Sequence, residues 1–274
     1  MAREKVSRIY CKICNMIFPI THKIAGSMVA IDLKPFCVEN IDENQQFIIA
    51  SNHSNMHDVP VILSLFNKHF FVLAGNEPRG DINGIAFSVN GVVWIERGNR
   101  ASALLAKKKI ESLLSYGKSL LIFPEATWNL TKEKPMLPLH WGVIDFSRYA
   151  KIPVVPVVLE YTKNNECFYS IGKPMNLYNV DDKKEATNIL RDAMSTMRWE
   201  IWEEFNQTQR KHITENDYFE YSKDRLNEYP KLDVEYEKTT ILKLHDSYED
   251  VFAHLNNIKP TLQNAFLFNE NLKG

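Results

Sequence analysis

No apolar run in this chain approaches the roughly 20 residues that a helix needs to cross a bilayer. Neither sign of charge prevails. Lys and Arg number 33 and Asp and Glu 34, a formal net charge of −1, which argues against nucleic acid as the main partner. Cysteine is scarce: Cys11, Cys14, Cys37 and Cys167 are the whole complement of a 274-residue chain. The opening Met1-Ala2-Arg3-Glu4-Lys5 is followed by neither a secretory apolar core nor a cleavage site, so reduced thiols in the cytoplasm are expected. Cys11-x-x-Cys14 could be half a zinc site. No second Cys or His pair follows at zinc-like spacing, and two cysteines on the surface of a helix is the simpler expectation. Internal repeats and low-complexity segments are also missing.

What is present is apolar patterning. Hydrophobic residues make up 45% of the chain, enough to build one large core plus an appendage. Apolar runs at Phe47–Ala50, His69–Ala74, Val92–Arg97, Ser119–Phe123, Pro153–Glu160 and Cys167–Ile171 read as strands. Helical patterns intervene: Val61–Phe66, a short one through Ile85–Phe87, a long one over Ala101–Tyr116 capped by Asn99 or Ser102 and ended by Gly117, and one near Leu139–Ala150. Asp32–Gln45 reads as a connector. Strands alternating with helices predict an α/β fold, a mainly parallel β-sheet flanked by helices. Ala186–Phe205 reads as a further helix. Residues 1–31 then form an N-terminal segment, 32–205 the main domain and 206–274 a C-terminal extension, expected to pack because of its aromatics.

The sheet's carboxyl edge is where such folds place chemistry. Ser51-Asn52-His53-Ser54-Asn55-Met56-His57-Asp58 follows the first buried strand. A neutral imidazole can accept a proton at pH 7, and a carboxylate on its other nitrogen fixes the tautomer. His53 and Asp58, five apart, can meet only if the loop folds back onto the first helical turn. Asp58 could equally cap the helix ahead of Pro60, and His57 is a rival base. In a parallel sheet, Glu96-Arg97 and Phe123-Pro124-Glu125-Ala126-Thr127 end strands at the same edge, which would add a cation and a carboxylate. Taken singly, Arg97 reads equally as a surface residue and Glu125 as a turn residue.

Together these blocks carry a resemblance. Asn52-His53-x4-Asp58, Gly91-Val-Val-Trp-Ile-Glu-Arg97, Phe123-Pro-Glu-Ala-Thr127 and Ile152-Pro-Val-Val-Pro156 are similar in order and spacing to the motifs of the glycerolipid acyltransferase family, whose best-known members are lysophosphatidic acid acyltransferases. The resemblance covers about residues 45–175. It implies that His53 is the general base and Asp58 its orienting partner. It implies that Arg97, Glu125, Ala126, Thr127, Trp128 and His140 line the site of the acceptor head group. The acyl donor would be acyl-CoA or acyl-carrier protein, used as co-substrate with no cofactor and no metal. The hydroxyl of a lysophospholipid-like acceptor would attack the thioester directly, consistent with the lack of a Gly-x-Ser-x-Gly elbow. The implied role is in phospholipid biosynthesis.

The chain departs from the family at informative places. Phe-Pro-Glu-Gly-Thr-Arg-Ser is the usual third motif; here Ala126 replaces Gly, Trp128 replaces Arg and Asn129 replaces Ser. His140 stands where a lysine often precedes Gly142. Arginine binds phosphate in a bidentate way that Trp128 and His140 cannot copy. A non-phosphate acceptor, such as an amino-lipid or small amphiphile, is therefore the alternative expectation. A non-catalytic lipid-binding module and a metal-dependent hydrolase using His53, His57 and Asp58 are further readings. Val6, Ile9, Tyr10, Ile13, Ile17, Phe18 and Ile20 recur at near-helical spacing among Arg3, Lys5, Arg8, Lys12 and Lys23. Such a basic amphipathic helix can pack on the domain or lie in a membrane interface. Because the family docks in the latter way, the expected location is cytoplasmic and peripheral, on the inner face of the cell membrane. Oligomeric state is not legible.

Overall fold

The computed structural model describes residues 6–28, 30–55, 57–75, 88–96, 98–126, 129, 135–162 and 165–205. The expected short helix through Ile85–Phe87 and the extension over 206–274 lie outside the described residues. The elements are α1 (Arg8–Met28), β1 (Asp32–Val38), β2 (Ile48–Ser51), α2 (Asp58–Leu65), β3 (Phe70–Gly75), β4 (Val92–Ile95), α3 (Arg100–Ser115), β5 (Ser119–Ile122), α4 (Gly142–Ala150), β6 (Val154–Tyr161), β7 (Glu166–Ile171) and α5 (Lys183–Phe205).

The seven strands form one sheet in the order β1-β7-β6-β2-β5-β3-β4. Every pairing is parallel except β6 with β7. The block from β6 to β4 is therefore parallel, and β7 and β1 run opposite to it. The expected α/β sheet flanked by helices is what forms. The central strands need no polar face because both faces are covered: all of Ile48-Ile-Ala-Ser51 and Ser119-Leu-Leu-Ile122 is buried. Side chains alternate between two cores. Ile48, Ala50, Leu120, Ile122, Val154 and Val158 pack with α3, α4 and α5 on one face. Ile49, Leu121, Val155, Val157 and Leu159 pack with α2 and Phe18 on the other.

Two expectations are corrected. Asp32–Val38, read as connector, is the edge strand β1, paired with β7 and irregular between Pro35 and Cys37. Its proline and half-exposed pattern are what an edge strand tolerates, and they are also what hide it from a sequence reading. Cys11 and Cys14 are not surface residues; they are 2% and 1% exposed. They face inward beside Phe18 on the face of α1 that packs against the domain.

Local signals hold elsewhere. Asn99 caps α3, accepting from the backbone N–H groups of Ala101 and Ser102. Gly117, just past the helix, has φ +72°, the left-handed conformation that glycine enters without penalty. Gly91 has φ +100°, and a Cβ there would stand 2.8 Å from the Phe71 ring. Glycine is thus required where the chain turns into β4.

Candidate active site

The parallel block brings the carboxyl ends of β2, β4, β5 and β6 to one edge. The His53 loop leaves β2 there, and the Glu125 turn leaves β5 beside it. The loop is pinned first by Asn52, which is fully buried. Its amide donates to the Leu159 carbonyl at 2.9 Å, and its side-chain oxygen accepts from the Leu159 N–H at 2.8 Å. The side chain thereby continues the β2–β6 ladder for one more step and fixes where the next residue points.

His53 Nδ1 lies 2.7 Å from Asp58 Oδ2. The same oxygen accepts from the N–H groups of Ser54 and Asn55 at 2.8 and 2.9 Å. Oδ1 accepts from the Tyr161 hydroxyl at 2.7 Å. Asp58 itself is wholly buried. The loop does fold back onto the first turn of α2, and Asp58 bonds the loop behind it rather than capping the helix in front. With Nδ1 held by the carboxylate, Nε2 is the nitrogen that would take a proton. The imidazole also stacks on Phe123, with centroids 4.3 Å apart and planes at 24°. His57 sits at the helix start with its N–H donated to Asn55 Oδ1. It has no such contact with Asp58, so the geometry favours His53 over its rival.

Glu125 is fully buried. Its Oε1 accepts from the His53 N–H at 3.3 Å and its Oε2 from the Leu137 N–H at 2.8 Å. Burial raises its pKa to about 7, opposed by the Leu137 N–H, the nearby Arg198 guanidinium, the His53 N–H and Arg191. This carboxyl is placed to hold the His53 loop. Asn129 adds a further tie, its N–H donating to the His53 carbonyl at 2.7 Å.

Ala126 has φ +55°, the conformation that suits the glycine usual at this position of the motif. His140 is exposed, and its N–H donates to the Pro124 carbonyl at 2.8 Å, which keeps it against the same turn. Arg97, Thr127 and Trp128 lie outside the described residues. Among the described residues, no group of three or more His, Cys, Asp and Glu is placed to hold a metal ion.

Residues 37–160 match the family model described as Acyltransferase. Over those residues the chain is similar to acyltransferases. It is 27% identical over 182 residues to the 1-acyl-sn-glycerol-3-phosphate acyltransferase of Saccharomyces cerevisiae, covering 61% of this chain and 60% of that one. It is 29% identical over 170 residues to the protein of that name from Borreliella burgdorferi, covering 57% of this chain and 67% of that one. The match thus spans about three fifths of the yeast protein's length. The crystal structure of the 1-acyl-sn-glycerophosphate acyltransferase PlsC from Thermotoga maritima superimposes with a TM-score of 0.58 at 19% identity, over 72% of this chain and 84% of that one. That likeness establishes a shared fold.

Sequence reasoning missed what four residues contribute around His53. Tyr161 ends β6 at the sheet's carboxyl edge, a position that could have flagged it. Asn52 was visible in the motif, but its grip on β6 depends on which strand neighbours β2. Arg191 and Arg198 come from α5, with no spacing signal that links them to His53.

Proposed function

We propose that this protein transfers a fatty acyl group from a thioester to the hydroxyl of a lysophosphatidic acid-like acceptor. The observation that carries this reading is His53 Nδ1 held at 2.7 Å by the buried Asp58 carboxylate at the sheet's carboxyl edge. Binding alone needs no such pair, which counts against a lipid-binding module. In the proposed reaction His53 Nε2 takes the acceptor's hydroxyl proton as the oxygen attacks the thioester carbonyl. Asp58 stabilises the imidazolium that forms. The C–S bond then breaks, and the departing thiol receives the proton from His53. The acyl donor is acyl-CoA or acyl-carrier protein, and no further cofactor enters. Arg97, Thr127 and Trp128 are proposed to meet the head group, with His140 at the rim.

The surface of α1 supports attachment to a membrane. Ile9, Ile13, Met16 and Ile20, at helical spacing, are 70%, 46%, 73% and 63% exposed, on the side away from Cys11, Cys14 and Phe18. Arg8, Lys12 and Lys23 are among them. No described helix is long and apolar enough to cross a membrane, so the proposed attachment is interfacial, by insertion of this stripe among lipid head groups.

A non-phosphate acceptor is the second reading, favoured by an imidazole at position 140 beside the Pro124 turn. The test is thiol release from acyl-CoAs and acyl-carrier proteins, with lysophosphatidic acid, uncharged lysolipids and amino-lipids offered as acceptors. His53→Ala should lower turnover about 10²–10⁴-fold. The best acceptor decides between the two readings. Wild-type protein that releases no thiol with any pair would overturn transfer and favour the lipid-binding module.

A further inference from the structure

Two buried arginines, both beyond the family-matched residues 37–160, face the segment that holds the Glu125 turn. Arg198 of α5 is 1% exposed and Arg191 is 2% exposed. Arg198 donates from Nη1 to the Pro135 carbonyl at 2.9 Å and from Nε to Glu160 Oε2 at 2.7 Å. Its guanidinium also lies 5.1 Å from the Trp202 ring centroid. Arg191 reaches the Met136 carbonyl at 3.5 Å. Both carbonyls sit immediately before Leu137, whose N–H is bound by Glu125, whose other oxygen binds the N–H of His53. Asn129 ties the same parts from the other side, from the Pro135 carbonyl at 3.4 Å to the His53 carbonyl at 2.7 Å.

We infer that Arg198, paired with Glu160 and aided by Arg191, is a positioning residue for the catalytic histidine, acting through the Pro135–Leu137 backbone and Glu125. It touches neither substrate nor reacting atom. A guanidinium on a carbonyl makes a stronger bond than a neutral donor, and two of them fix both the height and the twist of a backbone segment that has no regular secondary structure of its own. Their charge has a second effect on the same path. Ionised, Glu125 accepts from both N–H groups at full strength, and Arg198 and Arg191 are the α5 cations that favour that state. Protonation would weaken one of these two bonds and loosen the loop.

The inference rests on the proposed acyl transfer only for its kinetic readout, so the experiment has two arms. Removing Arg198 alone would strand Glu160, and the variant could simply unfold. Replacing a buried pair by apolar side chains is often tolerated. The variant is therefore Arg198→Met with Glu160→Met in the full chain, with Arg198→Lys as the conservative comparison. In the kinetic arm, kcat should fall roughly 10- to 100-fold, as small displacements of a catalytic group do, while KM for the acyl donor changes less than threefold. The acid limb of the kcat profile should move to higher pH. Arg198→Lys should recover part of both. In the second arm, which needs no turnover, the His53 Cε1–H NMR signal of the double variant should broaden or split, while a thermal melt remains cooperative. Wild-type protein without thiol release would count against the acyltransferase reading and leave the NMR arm to decide this one. A cooperative double variant with an unaltered His53 signal would overturn the inference, as would unaltered kcat and acid limb in an active protein. Arg198 would then serve only to pack α5.

Discussion

Replacing Asp58 by Asn changes one atom type at the centre of the site and keeps its shape. Asp58 accepts from four donors, His53 Nδ1, the N–H groups of Ser54 and Asn55, and the Tyr161 hydroxyl. In Asp58→Asn the amide oxygen can keep the Oδ2 position with its two backbone donors and His53. The NH2 then faces Tyr161, whose hydroxyl can rotate to accept. The fold therefore loses the charge in these bonds rather than the bonds themselves, at about 1–2 kcal/mol. Catalysis loses more. The carboxylate lies 2.7 Å from Nδ1, so an imidazolium formed during proton transfer gains at most about 6 kcal/mol at an effective dielectric of about 20. A fall of about 10²–10⁴ in kcat corresponds to about 2.7–5.5 kcal/mol and fits beneath that ceiling. The assay is thiol release at saturating donor and acceptor, with urea denaturation run in parallel. Tyr161→Phe, which removes one neutral donor from Oδ1, should cost only about 3–10-fold. If Asp58→Asn keeps kcat within threefold of wild type while His53→Ala is inactive, the carboxylate neither orients nor stabilises the base, and its assigned role is refuted.

Other outcomes follow from single features. Ala126→Gly should stabilise the fold by about 1 kcal/mol in urea, because the left-handed φ of +55° penalises a Cβ by about 1–2 kcal/mol, part of it offset by glycine's larger chain entropy; equal or lower stability would show that the turn is not strained. Asp192 is 2% exposed, neither carboxyl oxygen has a hydrogen-bond partner among the described residues, and burial pushes its pKa up to about 7, opposed by Arg191. A carboxyl raised in this way favours folding while protonated, and its contribution is lost as pH rises from about 4 through about 7. Asp192→Asn should match wild type near pH 4 and exceed it at pH 8 by about 2–4 kcal/mol; denaturation curves whose difference does not change between those pH values would sink this. Ile13→Asp combined with Met16→Asp changes exposed positions of α1 and should lower sedimentation with anionic vesicles at least tenfold while the melting temperature holds. Unchanged sedimentation would remove α1 from the membrane proposal.

The architecture was largely legible because each buried strand carries an apolar run and the helices their own period, with α3 also marked by its cap. Asn99 and Gly117 mark the ends of α3 by side-chain and backbone chemistry that acts within a few residues. β1 was not legible, since Pro35 and a half-exposed pattern look like loop until β7 supplies a partner. Cys11 and Cys14 were placed on the wrong side of α1 for a related reason. This helix has apolar residues on two faces, and only contact with the domain selects which one is buried.

The sequence by itself determined the order of the elements other than β1, the sheet's mainly parallel character and the loop that bears His53 and Asp58, because these depend on periodicity and short-range chemistry. Only the tertiary structure decided that Asp58 turns back to His53 rather than capping α2, and that His57 is left aside. It alone joined Asn52 to Leu159 and Tyr161 to Asp58, pairs 107 and 103 residues apart. It also gave Glu125 a set of backbone partners. Most buried polar groups find their complement wherever the fold brings one, and strand order, which no local pattern encodes, sets which carbonyls, hydroxyls and guanidinium groups arrive at the sheet's carboxyl edge.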